Sequence, residues 1–325
     1  MPRRDPRITR RAAFQARRMQ ALSRVFMPLL FSSARLRFAT EPTARPTTAT
    51  IPTRHGPIRT LVYAPPARRI ARHEAAGSRP PVHLILHGGA FIVRLPQQED
   101  NVARYLASEV GCYVVLPDYD TAPRVRFPVA EEQAYDAYRW VREHAEHQGW
   151  DRDAVSVGGG SAGGKLALNV ALLAIDDNYH RPAAVSAEYP VLDLTREDAT
   201  RVSVRKRPMV SPSMMSLMRR TYFADTDLSS PLASPALHPR RGELPPTLVL
   251  TGEHDTLCRE ADDFARDLAA AGVDVTHHEF PGADHAFTHT KPVETAEAAI
   301  RMIGEHLSRA FAGTAATEDC SDAPG

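Results

Sequence analysis

Three cysteines, Cys112, Cys258 and Cys320, are all that the 325-residue chain carries. Their number is odd and no pair has C-x-x-C spacing, which argues against both a disulfide framework and a zinc site. No apolar stretch approaches the roughly 20 residues that a membrane span needs. The longest candidate near the N-terminus, Val25 to Ala34, is broken by Pro28 and two serines. There is no internal repeat. Excess charge is lacking too: a net +1 gives the whole chain no case for a nucleic-acid partner. What remains, 43% hydrophobic and 24% charged residues, is ordinary globular composition. The length allows one large core or two modest ones.

The charge is unevenly spread. Residues 1–40 hold ten arginines against the single acid Asp5, so they carry +9 and the rest of the chain −8. Arg10-Arg11-Ala12-Ala13-Phe14 invites a twin-arginine export reading. The apolar region that should follow is delayed by Arg17, Arg18 and Arg24, and no small-x-small cleavage site follows. The favoured reading is a basic amphipathic helix that covers part of the body or touches an anionic surface, in a cytoplasmic protein.

Three zones emerge along the chain. Residues 1–46 read as a basic helical segment, with helix from about Arg10 to Ser23 and again near Leu29 to Phe38, ending in a Pro/Thr linker. Thr48 to Thr53 and Pro57 to Tyr63 read as a hairpin, and Pro65 to Pro81 as a polar loop. Strands and helices then alternate, with strands at Val82–Leu86, Tyr113–Leu116, Ala154–Val157, Val185–Glu188, Thr247–Thr251 and Val273–Phe280. Ala134, Ala137, Tyr138 and Val141 give the intervening helix, about Val129 to Gln148, a buried face at i, i+3, i+4, i+7. This alternation predicts a mostly parallel sheet covered on both faces, the core being residues 47–192 and 242–312. Residues 193–241 interrupt it with a helical piece near Ser213 to Phe223. So long an insertion between sheet strands reads as a substrate-shaping cap, with structural filler the alternative. Residues 313–325 read as a disordered tail.

Gly159-Gly160-Ser161-Ala162-Gly163 lies between the apolar run Ala154–Val157 and the helical run from Lys165. A strand, a glycine-flanked serine and a helix are the sequence form of a nucleophile elbow. The same pattern alone also fits a βα turn without chemistry, or a phosphate loop. A serine nucleophile needs a base, an acid that orients the base, and donors for the oxyanion. Asp255 follows the strand at Thr247–Thr251, and His285 follows the strand ending at Phe280, in the order serine, acid, histidine. Glu253 and Asp284 are rivals for the acid, and His289 for the base. His87-Gly88-Gly89-Ala90 follows Val82–Leu86 and supplies the oxyanion loop, with donors at Gly88, Gly89 and Ala162. His87 orients that loop, and Gly159, Gly163 and Gly164 support the elbow. Cys258 reads as a packed neutral thiol.

With these residues in place, the chain resembles the hormone-sensitive-lipase family of α/β-hydrolases, in its bacterial carboxylesterase form. The resemblance runs from about Val82 to the final helix. It is carried by His87-Gly88-Gly89-Ala90-Phe91, Asp118-Tyr119-Asp120-Thr121-Ala122-Pro123, Phe127-Pro128, Gly160-Ser161-Ala162-Gly163-Gly164, Asp255-Thr256-Leu257 and His285-Ala286-Phe287. It implies a mostly parallel eight-stranded sheet, with a cap built from the N-terminal helices and the insertion. Three positions depart from the family pattern. Ala90 stands where Gly is usual, Gly160 where Asp or Thr is common, and Asp120 and Arg124 alter the charges of the second motif.

The expectation is a serine ester hydrolase for short- to medium-chain carboxylic esters, acting through an acyl-enzyme and requiring no metal or cofactor. Phe91, Met209, Met214, Met215 and Phe287 are candidate pocket-lining residues, with core packing an equal reading of each. The alternatives keep the machinery and change the bond: a lactone, an aryl formamide, or acyl transfer to another acceptor. A non-catalytic receptor on the same fold is the remote one. The partners expected are a small ester, a weak membrane-surface contact through the arginine-rich segment, and a second copy of the chain.

Overall fold

Eight strands make one sheet: β1 (Thr47–Ile51), β2 (Ile58–Tyr63), β3 (Val82–Leu86), β4 (Tyr113–Pro117), β5 (Val155–Gly160), β6 (Val185–Glu188), β7 (Thr247–Gly252) and β8 (Val275–Phe280). They lie side by side in the order β1-β2-β4-β3-β5-β6-β7-β8. The computed structural model describes residues 9–31, 34–197 and 200–321. From β4 to β8 all neighbours are parallel, while β1 and β2 form an antiparallel hairpin that joins β4. The central strands β3, β5, β6 and β7 are buried at every position, as expected of strands covered on both faces. Parallel strands bring all their carboxyl ends to one edge, and ligand sites of open α/β sheets lie there.

Helices α1 (Arg10–Phe31), α2 (Ala67–Ala75), α3 (Asp100–Tyr105), α4 (Val129–Gln148), α5 (Ala162–Asp176), α6 (Pro212–Thr221), α7 (Cys258–Ala270) and α8 (Val293–Ser321) complete the chain. The periodicity placed α4 at the observed residues, since Ala134, Ala137, Tyr138 and Val141 are all fully buried. Two core clusters cover the sheet. One gathers α4, α5 and α7 against β3, β5 and β7; the other gathers α3 and α8 against β2 and β4.

Three expectations need correction. The segment read as a polar loop holds α2, a helix without buried residues that ends in arginine and histidine. Its helix-favouring alanines and arginines outweigh the absence of an apolar stripe. The N-terminal helix is one continuous element through Pro28, not two pieces. The last helix continues to Ser321, over most of the segment read as a disordered tail, because its alanines favour helix. Residues 322–325 lie outside the described residues.

The N-terminal helix is anchored on the body. Ala12 and Ala16 are fully buried, and Gln20 Nε2 donates to the carbonyls of Ile92 (2.8 Å) and Ala122 (2.9 Å). Across the cavity mouth α1 meets α6 from the insertion. The insertion is tied to the sheet edge as well. Thr256 Oγ1 donates to the Val210 carbonyl at 2.9 Å, and Met209 N–H to Asp284 at 3.3 Å.

Candidate active site

The turn between β5 and α5 is tight because nothing but glycine fits it. A Cβ on Gly159 or Gly163 would run into the Leu86 carbonyl at the end of β3. Ser161 between them sits at φ 59°, ψ −118°, a strained conformation for a residue with a side chain. Its N–H donates to the Glu188 carbonyl at 2.8 Å, which fixes the turn against β6. The residue is only 8% exposed.

Asp255 and His285 come from the loops after β7 and β8. His285 Nδ1 lies 2.7 Å from Asp255 Oδ2, and both side chains are buried. The other Asp255 oxygen accepts the Leu257 N–H at 3.1 Å, so the carboxylate is aimed from two sides. The rivals are engaged elsewhere. Glu253, half exposed, accepts the Gly282 N–H at 2.7 Å, and Asp284 accepts the His285 backbone N–H at 2.8 Å. His289 faces Glu99 at 3.1 Å and Asn101 at 3.1 Å, not Asp255. Although burial works against its charge, Glu99 is held below the ordinary carboxylate range, chiefly by the facing His289 imidazole.

A further serine–histidine contact is structural. His83 Nδ1 meets Ser156 Oγ at 2.8 Å between β3 and β5, and complete burial pushes that imidazole down to about 3. A ring that stays neutral inside the sheet cannot serve substrate at the carboxyl edge.

The oxyanion loop is stiffened from behind. His87 stacks on Tyr119 with centroids 4.1 Å apart, and its Nδ1 bonds the Gly88 carbonyl at 2.8 Å. Burial pushes the pKa of that imidazole down, consistent with an orienting role. Gln98 Nε2 donates to the same carbonyl at 3.1 Å. The Gly88 N–H is turned to Glu99 Oε1 at 3.4 Å and is therefore committed. Of the expected donors, Gly89 and Ala162 have no such acceptor among the described residues. Ala90 adopts φ 53°, the left-handed region in which a glycine is usual, so the loop keeps its shape despite the substitution. Arg94 pairs with Asp118 (2.6 Å) and Asp120 (2.8 Å), which accounts for the unusual acid in the second motif.

Ser161, His285, Gly88 and Gly89 open into one cavity of about 580 Å³. Met19 and Ser23 of α1, Met209 and Met214 of the insertion, and Ala90 and Val93 of the oxyanion loop form its walls. Met209 and Met214 thus stand where the sequence placed them. Phe91, Met215 and Phe287 do not line the cavity; they are buried in the two core clusters. Phe91 stacks on Tyr222 at 4.6 Å, and Phe287 meets Tyr189 at 4.9 Å. Sequence reasoning missed Tyr189, whose ring is edge-on to His285, and the buried Glu99–His289 pair beside the loop. Tyr189 directly follows β6 at the reactive edge, a placement that could have flagged it.

An elbow serine that opens into the same cavity as a buried histidine–carboxylate pair is the arrangement of serine hydrolases built on a parallel α/β sheet. The sequence agrees: residues 83–289 match the family model described as alpha/beta hydrolase fold. An arylesterase of Saccharolobus solfataricus is 32% identical over 228 residues, 69% of this chain and 73% of its own. An ethyl acetate hydrolase of Pseudomonas putida is 32% identical over 232 residues, covering 70% and 72%. The solved esterase of Pyrobaculum calidifontis superposes with TM-score 0.78 at 32% identity, over 92% of this chain and 94% of that one. A thermophilic carboxylesterase cloned from a metagenomic library gives 0.78 at 28%, over 92% and 97%. The chain belongs to the α/β-hydrolase family, in its hormone-sensitive-lipase and carboxylesterase branch, and is a carboxylic ester hydrolase.

Proposed function

We propose that the protein cleaves short- to medium-chain carboxylic esters through an acyl-enzyme on Ser161. The observation that carries this is the 2.7 Å contact of His285 with Asp255 in the loops flanking Ser161. His285 takes the Ser161 proton as the hydroxyl oxygen attacks the ester carbonyl, and Asp255 holds the ring and stabilises the imidazolium. The N–H groups of Gly89 and Ala162, with that of Ala90 on the next peptide, receive the developing oxyanion. His285 then returns the proton to the leaving alcohol, and water attacks the acyl-enzyme by the same route in reverse. The largely apolar walls at Met19, Val93, Met209 and Met214 suit an acyl chain of modest length. Ser161→Ala should abolish turnover of p-nitrophenyl acetate and butyrate while leaving the fold intact. Retained turnover in the purified variant overturns the assignment.

The same reading includes a weak contact of α1 with an anionic membrane surface. Phe14, Leu22, Val25 and Phe26 are exposed beside Arg10, Arg11, Arg17, Arg18 and Arg24, an amphipathic basic pattern. Phe14→Ser with Phe26→Ser should reduce co-sedimentation with phosphatidylserine vesicles. A homodimer is in keeping with the free backbone edge of β8, the terminal strand, and light scattering reads it directly. Cytoplasmic placement fits the two buried free thiols, Cys112 and Cys258.

A further inference from the structure

Outside the cavity, three side chains able to bind metal converge between α7 and β8, with a histidine beside them. Cys258 opens α7 and Asp262 stands one turn on, so they share a face of that helix. His277 and Glu279 are two residues apart on β8 and point to the same side of the sheet. Cys258 Sγ lies 3.3 Å from Asp262 Oδ2 and 3.2 Å from Glu279 Oε2, and the three donor atoms fall within 4.8 Å of one another. His277 Nε2 is 3.0 Å from the other Asp262 oxygen.

The cluster has more acceptors than protons. One thiol hydrogen cannot serve both carboxylates, so one sulfur–oxygen approach is left without a donor. A tetrahedral ion with bonds of about 2.3 Å to sulfur and 2.0 Å to oxygen or nitrogen would set its ligands roughly 3.3–3.5 Å apart. The two sulfur–oxygen spacings already lie within about 0.3 Å of that. A thiolate with two carboxylates is a donor set that zinc accepts, and His277, held between Asp262 and Thr251 Oγ1 (3.1 Å), orients one of the carboxylates from behind. The sequence hides it, because two ligands lie at i, i+4 on a helix and the third comes from a strand, with no C-x-x-C.

We propose that Cys258, Asp262 and Glu279, with His277 positioning the Asp262 carboxylate, bind a divalent transition cation of the zinc type. On binding, the Cys258 S–H bond is lost to solvent as a proton and a sulfur–metal bond replaces it, so occupancy rises with pH. The role is structural. Cys258 N–H donates to the Asp255 carbonyl at 3.1 Å, and β8 runs into the loop that carries His285. One ion therefore fastens the acid-bearing loop to the strand that delivers the base.

The test is titration of the chelator-stripped full-length protein with cobalt(II), followed by displacement with zinc(II). The site should give a thiolate-to-cobalt band in the near ultraviolet at one equivalent, with intense visible bands of a tetrahedral ion. His277→Gln and Glu279→Gln, both at half-exposed or exposed positions, should each weaken binding about tenfold or more. Cys258→Ser should remove the thiolate band and the rise in Tm that zinc gives the unaltered protein. Absence of the band, its persistence in Cys258→Ser, or unchanged affinity in either of the other variants overturns the proposal.

Discussion

The Tyr189 ring stands edge-on to the His285 imidazole, with centroids 4.8 Å apart, and fills the space that a side chain at position 160 would require. A Cβ on Gly160 would lie 2.7 Å from that ring. The residue before the serine is therefore glycine because an aromatic partner of the catalytic histidine has taken its place. Gly160→Asp should push Tyr189 against His285, costing about 1–3 kcal/mol of stability and a larger share of kcat than of KM. Pairing it with Tyr189→Ala should restore part of the stability. Full activity in Gly160→Asp alone would show the ring to be freely movable.

Asp255, not Glu253 or Asp284, bonds the His285 ring. Asp255→Asn should lower kcat by on the order of 10⁴, since the amide favours the wrong imidazole tautomer. Glu253→Gln and Asp284→Asn should stay within several-fold of the unaltered enzyme. Steady-state kinetics on p-nitrophenyl butyrate separates the three.

Lys165, one turn into the nucleophile helix, is completely buried. Its ammonium meets Glu131 Oε1 (2.8 Å), Asn169 Oδ1 (2.8 Å) and the Leu232 carbonyl (2.9 Å). Burial pushes the amine down while Glu131 works the other way. Removing one partner strands the other charge, so Glu131→Gln should destabilise by about 3–5 kcal/mol in urea titrations. Lys165→Met together with Glu131→Gln should recover much of that loss. A single and a double variant of equal stability would contradict it.

Glu188, sealed beneath the elbow, is pushed up to about 8 by burial and by the nearby Glu99 charge. An acid with a higher pKa folded than unfolded binds more protons in the folded state. Its contribution is complete below the ordinary value of 4.5 and is lost as pH rises through about 8. Glu188→Gln mimics the protonated acid and should decline less over that window. The gap between the two unfolding free energies should widen by on the order of several kcal/mol. A gap that does not change with pH refutes it.

Ala90 holds φ 53° without being glycine. Ala90→Gly should therefore stabilise the protein by about 1 kcal/mol, read as a higher midpoint in thermal melts. A lower midpoint would mean that the loop is held by its side-chain contacts.

Much of this was legible in the chain because strands and loops near the chemistry follow local rules. The glycines around Ser161 and the order Ser161, Asp255, His285 need no tertiary information, and the apolar stripe of α4 marks its own boundaries. The contents of the cavity wall were less readable. Phe91 and Met214 look alike as apolar residues near a site, and only packing decides that one stacks on Tyr222 while the other lines the cavity. The commitment of Gly88 N–H to Glu99 was hidden for the same reason, since the partner lies eleven residues away on another turn. The metal-binding cluster depends on the pairing of α7 with β8, which no spacing within either element announces.

Gln20 reaches from α1 to the backbone of Ile92 and Ala122, just beyond the oxyanion loop. The helix over the cavity and the backbone beside the oxyanion loop are thereby joined by two hydrogen bonds. A change at Gln20, remote from Ser161 in sequence and absent from every motif, should therefore be felt at the loop that meets the ester.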